Sequence, residues 1–191
     1  MNAAIIVEGD DDASVYPVFI RKIRNDVSKI HSVRCGGVIA LERKFVSYLK
    51  IFQESGQFDV SKAIVILDSD CAAPQPLEEK LQQTLTRSGF QAGFPVHFYA
   101  TKCELETWLV ADVEAINQVA LLRGRTPTVG EANIQLEEYR DAKELLRRKL
   151  SEVTLPADSR VFAQIAEAAD LQRITERCPY FQQFVDRVRA C

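Results

Sequence analysis

Three short stretches of this sequence place carboxylates directly after apolar runs. In "IIVEGDDD" the run Ala3–Val7 leads into Glu8, Asp10, Asp11 and Asp12; in "VILDSD" the run Ala63–Leu67 leads into Asp68 and Asp70; in "CELE" Glu104 and Glu106 follow Val96–Ala100 closely. Carboxylates brought together repel one another, and burial raises their pKa. Hard divalent cations remove that conflict, because Mg²⁺ takes carboxylate oxygens and water and bridges to substrate phosphate. In an extended segment residues i and i+2 point to the same side, so Asp68 and Asp70 can share one ion. Glu104 and Glu106 can share a site only if their segment is also extended, because i and i+2 diverge by about 200° on a helix.

The elements that must position these groups read as alternating strands and helices. Strands are expected at Ala3–Val7, Ser32–Cys35, Ala63–Leu67 and Val96–Ala100. Apolar residues at helical spacing predict helices over Asp12–Ile30, Ile39–Gln53 and Pro76–Ser88. Short apolar strands alternating with helices imply a parallel sheet of about four strands, covered on both faces. Right-handed crossovers then put every strand's C-terminus on one edge, where open α/β folds form their ligand crevices. At least five carboxylates would converge there. Beyond residue 102 only helical patterns remain: Glu104–Val113, Leu136–Lys149 and Ala157–Ala169, with a surface loop over Arg123–Asn133. The expected organisation is an α/β core over 1–102 and a helical C-terminal extension over 103–191 packed on it.

Several of these residues have plainer roles available. Asp10 and Asp11 suit a turn or a helix start, and Asp12 suits a cap. Glu104 and Glu106 taken alone could begin a solvated helix. Trp108, spaced with Leu105 and Leu109, fits a core better than a base-stacking platform, and Arg147-Arg148-Lys149 fits a solvated face. Gly36-Gly37 opens a helix whose free N–H groups could hold a phosphate. Lys102, at the end of the fourth strand, is the catalytic cation chosen to offset transition-state charge, against a surface lysine as the alternative.

Composition narrows the classes. Net charge is −3; residues 1–102 balance 12 basic against 12 acidic, and 103–191 carry 12 against 15. That is no basic nucleic-acid footprint, so contact with DNA or RNA must come through a local patch, a metal or a partner. No apolar run approaches the roughly 20 residues of a membrane span, and no secretory leader is visible, which reads as a soluble cytoplasmic protein. Five scattered cysteines, none at C-x₂-C spacing, are expected as reduced thiols rather than zinc ligands. Two histidines leave little for a Ser-His relay. The oligomeric state is open.

Together "IIVEGDDD" and "VILDSD" resemble the TOPRIM fold, shared by topoisomerases, bacterial primases, recombination-repair proteins and OLD-type nucleases. Glu8-Gly9 matches the Glu-Gly that ends a strand there, Asp68/Asp70 the later Asp-x-Asp, and Asp12 the Glu-Gly-x-x-Asp of the nuclease branch. "CELETWLVAD" and "DLQRITERCPYFQQFV" resemble segments of uncharacterised TOPRIM proteins found beside ATPase genes in bacterial defence loci. The likeness covers most of the chain and is poor over 120–160. A topoisomerase tyrosine domain and the zinc modules of primases have no counterpart.

The resemblance implies a Mg²⁺- or Mn²⁺-dependent nuclease working with a partner ATPase in anti-phage defence. Asp68 and Asp70 would ligate one ion. Glu8 would ligate a second or act as general base, and Asp12, Glu104 and Glu106 would complete that ion's shell. The competing expectations are a non-catalytic metal-binding TOPRIM module that regulates a partner ATPase, and a receiver-like phospho-acceptor built on Asp68 and Lys102. The Glu8-Gly9 turn argues against the last.

Overall fold

Four apolar runs pair into one sheet: β1 (Asn2–Val7), β2 (Lys29–Arg34), β3 (Lys62–Asp68) and β4 (Val96–Thr101). The computed structural model describes residues 1–126 and 129–190. All pairings are parallel and the strand order is β2-β1-β3-β4. Helix α1 (Asp10–Ile23) joins β1 to β2, α2 (Val38–Glu54) joins β2 to β3, and α3 (Pro74–Arg87) joins β3 to β4. Then follow α4 (Glu106–Ala111), α5 (Val113–Leu122), a 3₁₀ turn (Leu136–Glu138), α6 (Ala142–Glu152), α7 (Ser159–Ala168), α8 (Leu171–Arg177) and α9 (Pro179–Ala190). The fold is therefore α/β, with a four-stranded parallel sheet and a helical C-terminal region.

The two-residue period of the strands divides the core. Ala4, Ile6, Ala63, Val65, Leu67, Phe98 and Ala100 face α2 and α3, where they meet Leu41, Phe45, Leu49, Phe52 and Leu81. Ala3, Ile5, Val7, Ile64, Ile66 and Tyr99 face the other way, onto α1 and the C-terminal helices. That second layer holds both halves of the chain. Trp108 of α4 is fully buried, with its ring centroid 4.7 Å from Phe181, 5.0 Å from Phe184, 5.8 Å from Tyr16 and from Phe19, and 6.3 Å from Tyr99. It is a core residue and no stacking platform. Residues 103–191 thus share with α1 one of the two layers that cover the sheet. Lys22, near the end of α1, adds a polar tie: its Nζ donates to the carbonyls of Ala166, Glu167 and Ala169 at the C-terminus of α7.

Some element bounds differ from the sequence reading. Helix α1 stops at Ile23 because β2 begins at Lys29, earlier than Ser32, to pair along the whole of β1. The helix expected over Glu104–Val113 is α4, shortened to Glu106–Ala111; a second helix, α5, starts at Val113, capped by Asp112, whose side chain accepts from Glu114 N–H. Leu136–Lys149 splits into the 3₁₀ turn and α6. The expected loop Arg123–Asn133 carries no helix or strand in its described residues; 127 and 128 lie outside them.

The cysteines require a correction. Cys71 and Cys103 are joined as a disulfide, so the expectation of reduced thiols fails for this pair. The two lie on the loops after β3 and β4, which adjacent pairing of those strands brings together. Cys35 and Cys178 are buried free thiols, and Cys191 lies outside the described residues. Among the described residues, no helix is long and apolar enough to cross a membrane.

Candidate functional site

The C-terminal edge of the sheet carries a cleft of about 390 Å³, lined by Glu8, Asp10, Asp11, Asp12, Asp68, Glu104 and Glu106, with Gly9, Gly36, Gly37 and Lys143. Parallel pairing explains the convergence. β1 lies between β2 and β3, so Glu8 leaves the sheet beside Asp68, and Asp68 pairs with Thr101 just before the Cys103–Glu106 turn.

Glu8 is the best-held of these side chains. Its Oε1 accepts the backbone N–H of Asp68 at 2.9 Å, and its carboxylate also takes the N–H of Val38 at the start of α2. Its main-chain carbonyl accepts the N–H groups of Gly36 and Gly37 at 2.8 and 3.0 Å. Those glycines have φ of +88° and +106°, a backbone that L side chains rarely adopt. Glu8 thus takes the N–H groups of the Gly36-Gly37 turn that opens α2. This carboxylate sits at a helix N-terminus, where the dipole favours negative charge.

Asp12 is the third residue of α1, and its Oδ2 accepts the N–H of Gly9, the N-cap, at 2.8 Å. It lines the cleft and caps the helix together. Asp10 pairs with Arg34, and Asp11 accepts the hydroxyl of Ser159 at the start of α7. Both retain the turn and helix-start roles available to them.

Asp68 and Asp70 part company. Strand β3 ends at Asp68, and Asp70 has φ of +49°, so the extended geometry that would align the two side chains is absent. Asp68 lines the cleft and Asp70, exposed, does not. Asp70 remains close enough for its charge to act on Glu8 and Glu104.

Glu104 and Glu106 both line the cleft although Leu105 between them has helical φ and ψ of −54° and −38°, so the extended segment expected for a shared site is not what brings them together. Lys143, in the first turn of α6, holds both: its backbone N–H donates to Glu104 Oε2 at 3.1 Å, and its Nζ lies 3.3 Å from Glu106 Oε1.

Lys102 is not brought to this cleft. Its Nζ donates to the carbonyls of Cys71 and Ala72, both at 3.0 Å, and lies 5.7 Å from the centre of the Tyr180 ring. It lines a different and larger cleft, of about 870 Å³, bounded by Glu131–Glu138 and by Glu176, Arg177, Pro179 and Tyr180. With Lys102 turned away, Asp68 lacks the lysine that a receiver-like site needs. Arg147 and Arg148 are exposed, and Lys149 is buried on the carbonyl of Gly130.

The cleft holds its carboxylates under strain of charge. Asp68 is raised well above the ordinary range, first by burial and then by Asp12, Glu8, Glu106 and Glu104. Asp12 is pushed up to about 6 by burial, with Glu8, Glu106 and Asp11 adding and the Gly9 N–H opposing. Glu8 and Glu104 are both raised by burial first, partly offset by the N–H groups of Asp68 and Lys143 respectively. Lys143 is raised in turn, chiefly by Glu106.

Comparison with known proteins places this architecture. The profile of one family, described as a domain of unknown function (DUF4276), matches residues 7–189. The chain belongs to the DUF4276 family. No curated protein matches it, and no solved structure does. The DUF4276 match runs from the last residue of β1 almost to the end of α9, through both sheet and helical region.

In this DUF4276 chain the donors facing the cleft are carboxylate oxygens, the type that hard divalent cations take. Among the described residues no three carboxylates, imidazoles or thiols are gathered into a ready-made cage for an ion. The donor chemistry fits a cation, and loading one requires the side chains to close up. Of the residues that sequence reasoning singled out, Glu8, Asp12, Asp68, Glu104 and Glu106 share the cleft; Asp70 is at its margin and Lys102 is elsewhere. The residue missed is Lys143. Nothing near "DAKELL" marks it, because its role arises only when α6 packs on α4.

Proposed function

We propose that this protein is a metal-dependent phosphodiesterase that cuts DNA or RNA, with Mg²⁺ or Mn²⁺ held by Asp68, Asp12, Glu8, Glu104 and Glu106, and Asp70 joining from the margin. The observation that carries the proposal is the convergence of those first five carboxylates on one cleft, with Asp68 and Asp12 driven toward protonation first by burial and then by neighbouring carboxylates. Such a cluster is relieved by a cation of charge two, and it is expensive to maintain without one. The TOPRIM likeness of Glu8-Gly9 and Asp68/Asp70 supports the same assignment. When bound, the ion supplies Lewis acidity and lowers the pKa of water.

The chain's own residues account for the rest. Glu8, fixed by the N–H groups of Asp68 and Val38, is the group to accept the attacking water's proton. Lys143 is the cation within the cleft and keeps Glu104 and Glu106 in place. Nucleic acid needs cationic surface to neutralise phosphates, and a net charge of −3 makes the chain a poor holder of it. A partner ATPase would supply that surface, in a bacterial defence complex.

A second reading, a metal-binding module that regulates a partner ATPase without cutting, is favoured by one observation. The lysine that lines the cleft is already committed to Glu104 and Glu106. Cleavage time courses on DNA and RNA with Mn²⁺ separate the readings, run for wild type and Glu8→Gln, alone and with whatever ATPase the gene neighbourhood supplies. The expected result is a loss of about 10²–10⁴-fold in Glu8→Gln, the usual worth of a proton-transfer group. Equal rates remove Glu8 from the mechanism. No cleavage by wild type under any of these conditions leaves the regulatory module.

A further inference from the structure

The disulfide joins the loop that follows Asp68 and carries Asp70 to the loop that carries Glu104 and leads into Glu106. Cys71 follows Asp70 on the loop after β3, and Cys103 precedes Glu104 on the loop after β4. Hydrogen bonds run between the same loops: Ser69 N–H to Thr101 O at 2.9 Å, Asp70 N–H to Cys103 O at 3.1 Å, and Cys103 N–H to Ser69 Oγ at 3.2 Å. Asp70, Cys71 and Cys103 all have left-handed φ, of +49°, +63° and +62°. L residues seldom hold that backbone unless their surroundings impose it. In this clamped arrangement Asp70 is exposed off the cleft, while Glu104 and Glu106 rest on Lys143.

The two sulfurs differ in access. Cys103 is fully buried, whereas Cys71 is half-buried, so a reagent reaches the pair through Cys71. Cys103 Sγ lies 3.1 Å from the carbonyl of Glu137, an acceptor for its S–H when the pair is open. Among the described residues the free cysteines are poor competitors: burial pushes the Cys35 thiol up to about 11, and Cys178 is also raised by burial. Thiols so raised are inert.

We propose that Cys71 and Cys103 form a reversible redox pair whose closed form clamps the two acidic loops and lowers the cleft's affinity for a divalent cation. The proposal rests on the metal-binding part of the function proposed above. The oxidant is a low-molecular-weight disulfide such as glutathione disulfide. The Cys71 thiolate attacks one of its sulfurs and releases one glutathione; the Cys103 thiol then loses its proton, attacks Cys71 Sγ and releases the second. Two protein thiols are oxidised and one glutathione disulfide is reduced. Opening the pair removes the covalent link and leaves the loops tied by hydrogen bonds, which Asp70 and the Cys103–Glu106 turn can exchange to close on the ion; the ion in turn favours the open form by as much as its affinities differ.

The test compares Mn²⁺ binding, by electron paramagnetic resonance, to the full chain equilibrated with glutathione disulfide or reduced with a phosphine. Alkylation and mass spectrometry identify the cross-linked peptides. The expected result is a Cys71–Cys103 cross-link in the oxidised sample and Mn²⁺ binding weaker by about tenfold, the equivalent of about 1.4 kcal/mol. Cys71→Ser should bind like the reduced protein in both buffers; Cys103→Ala gives a second always-open variant, with circular dichroism confirming that each folds. Absence of the cross-link, or equal affinity in both states, overturns the redox pair and leaves the metal site standing. Absence of Mn²⁺ binding in either state overturns both.

Discussion

Replacing Asp12 by Asn should stabilise the protein at alkaline pH and do nothing for it in acid. The fold raises the Asp12 pKa from the ordinary 3.8 to about 6, mainly by burial. A raised acid binds more protons when folded than when unfolded, so the associated stability is complete below about pH 4 and is lost as pH rises through about 6. At about 1.36 kcal/mol for each tenfold change in protonation, the loss by about pH 8 is about 3 kcal/mol. Asn resembles the protonated acid: it keeps an oxygen for the Gly9 N–H, which now bonds Asp12 Oδ2 at 2.8 Å, and carries no charge toward Glu8, Glu106 and Asp11. Relaxation of neighbours takes up part of the gain, so Asp12→Asn should exceed wild type by about 1.5–3 kcal/mol near pH 8. In a chain of this size that raises Tm by about 3–12 °C. The assay is urea unfolding followed by circular dichroism, with a chelator present, at several pH values from about 4 to about 8. Titrating groups remote from Asp12 cancel in the difference between the two proteins; Asp68, which the Asp12 charge raises, is less raised in the variant. A difference that stays flat with pH, or a variant less stable than wild type near pH 8, would refute the account of Asp12 as a carboxyl held against its charge.

Asp68→Asn should likewise raise metal-free Tm near pH 8, and it should abolish the rise in Tm that Mn²⁺ gives wild type, as a ligand of the folded state must; an unchanged Mn²⁺ response places the ion elsewhere. Lys143→Ala leaves Glu106, whose side chain is 6% exposed, without its cation. Half of the lysine is in solvent, so the cost discounts to about 1–3 kcal/mol near pH 8, shrinking in acid as Asp12 and Asp68 take up protons; denaturant titrations at two pH values read it. Lys22→Met removes the cation from three carbonyls at the end of α7 and should cost about 1–2 kcal/mol, a fall in Tm of about 2–8 °C.

How much of this could be read beforehand depended on range along the chain. The strands were visible because runs such as Ala63–Leu67 are apolar throughout, and a parallel sheet buried on both faces needs that. Convergence of Glu8 with Asp68 followed from parallel topology alone. What failed was local geometry after a strand ends. Extended spacing would have aligned Asp68 with Asp70, and the left-handed turn at Asp70 breaks it. Lys102 was chosen for its place at the end of β4, yet the carbonyls of Cys71 and Ala72 hold it on the far side. Lys143 and the Cys71–Cys103 bond depend on contacts across more than thirty residues, which periodicity does not encode.

Lys143 belongs to α6, whereas the carboxylates it holds follow β4 and Glu8 follows β1, so the acidic cleft is assembled from the sheet region and the helical region together. Recombination among relatives that exchanged only the last segment would pair one lineage's acidic edge with another's lysine and with a foreign set of partners for Trp108. Descendants of such an exchange would inherit a mismatch in charge and in packing together. The sheet edge and its helical cover are therefore coupled in charge through Lys143 and in packing through Trp108, and a change in one is felt in the other.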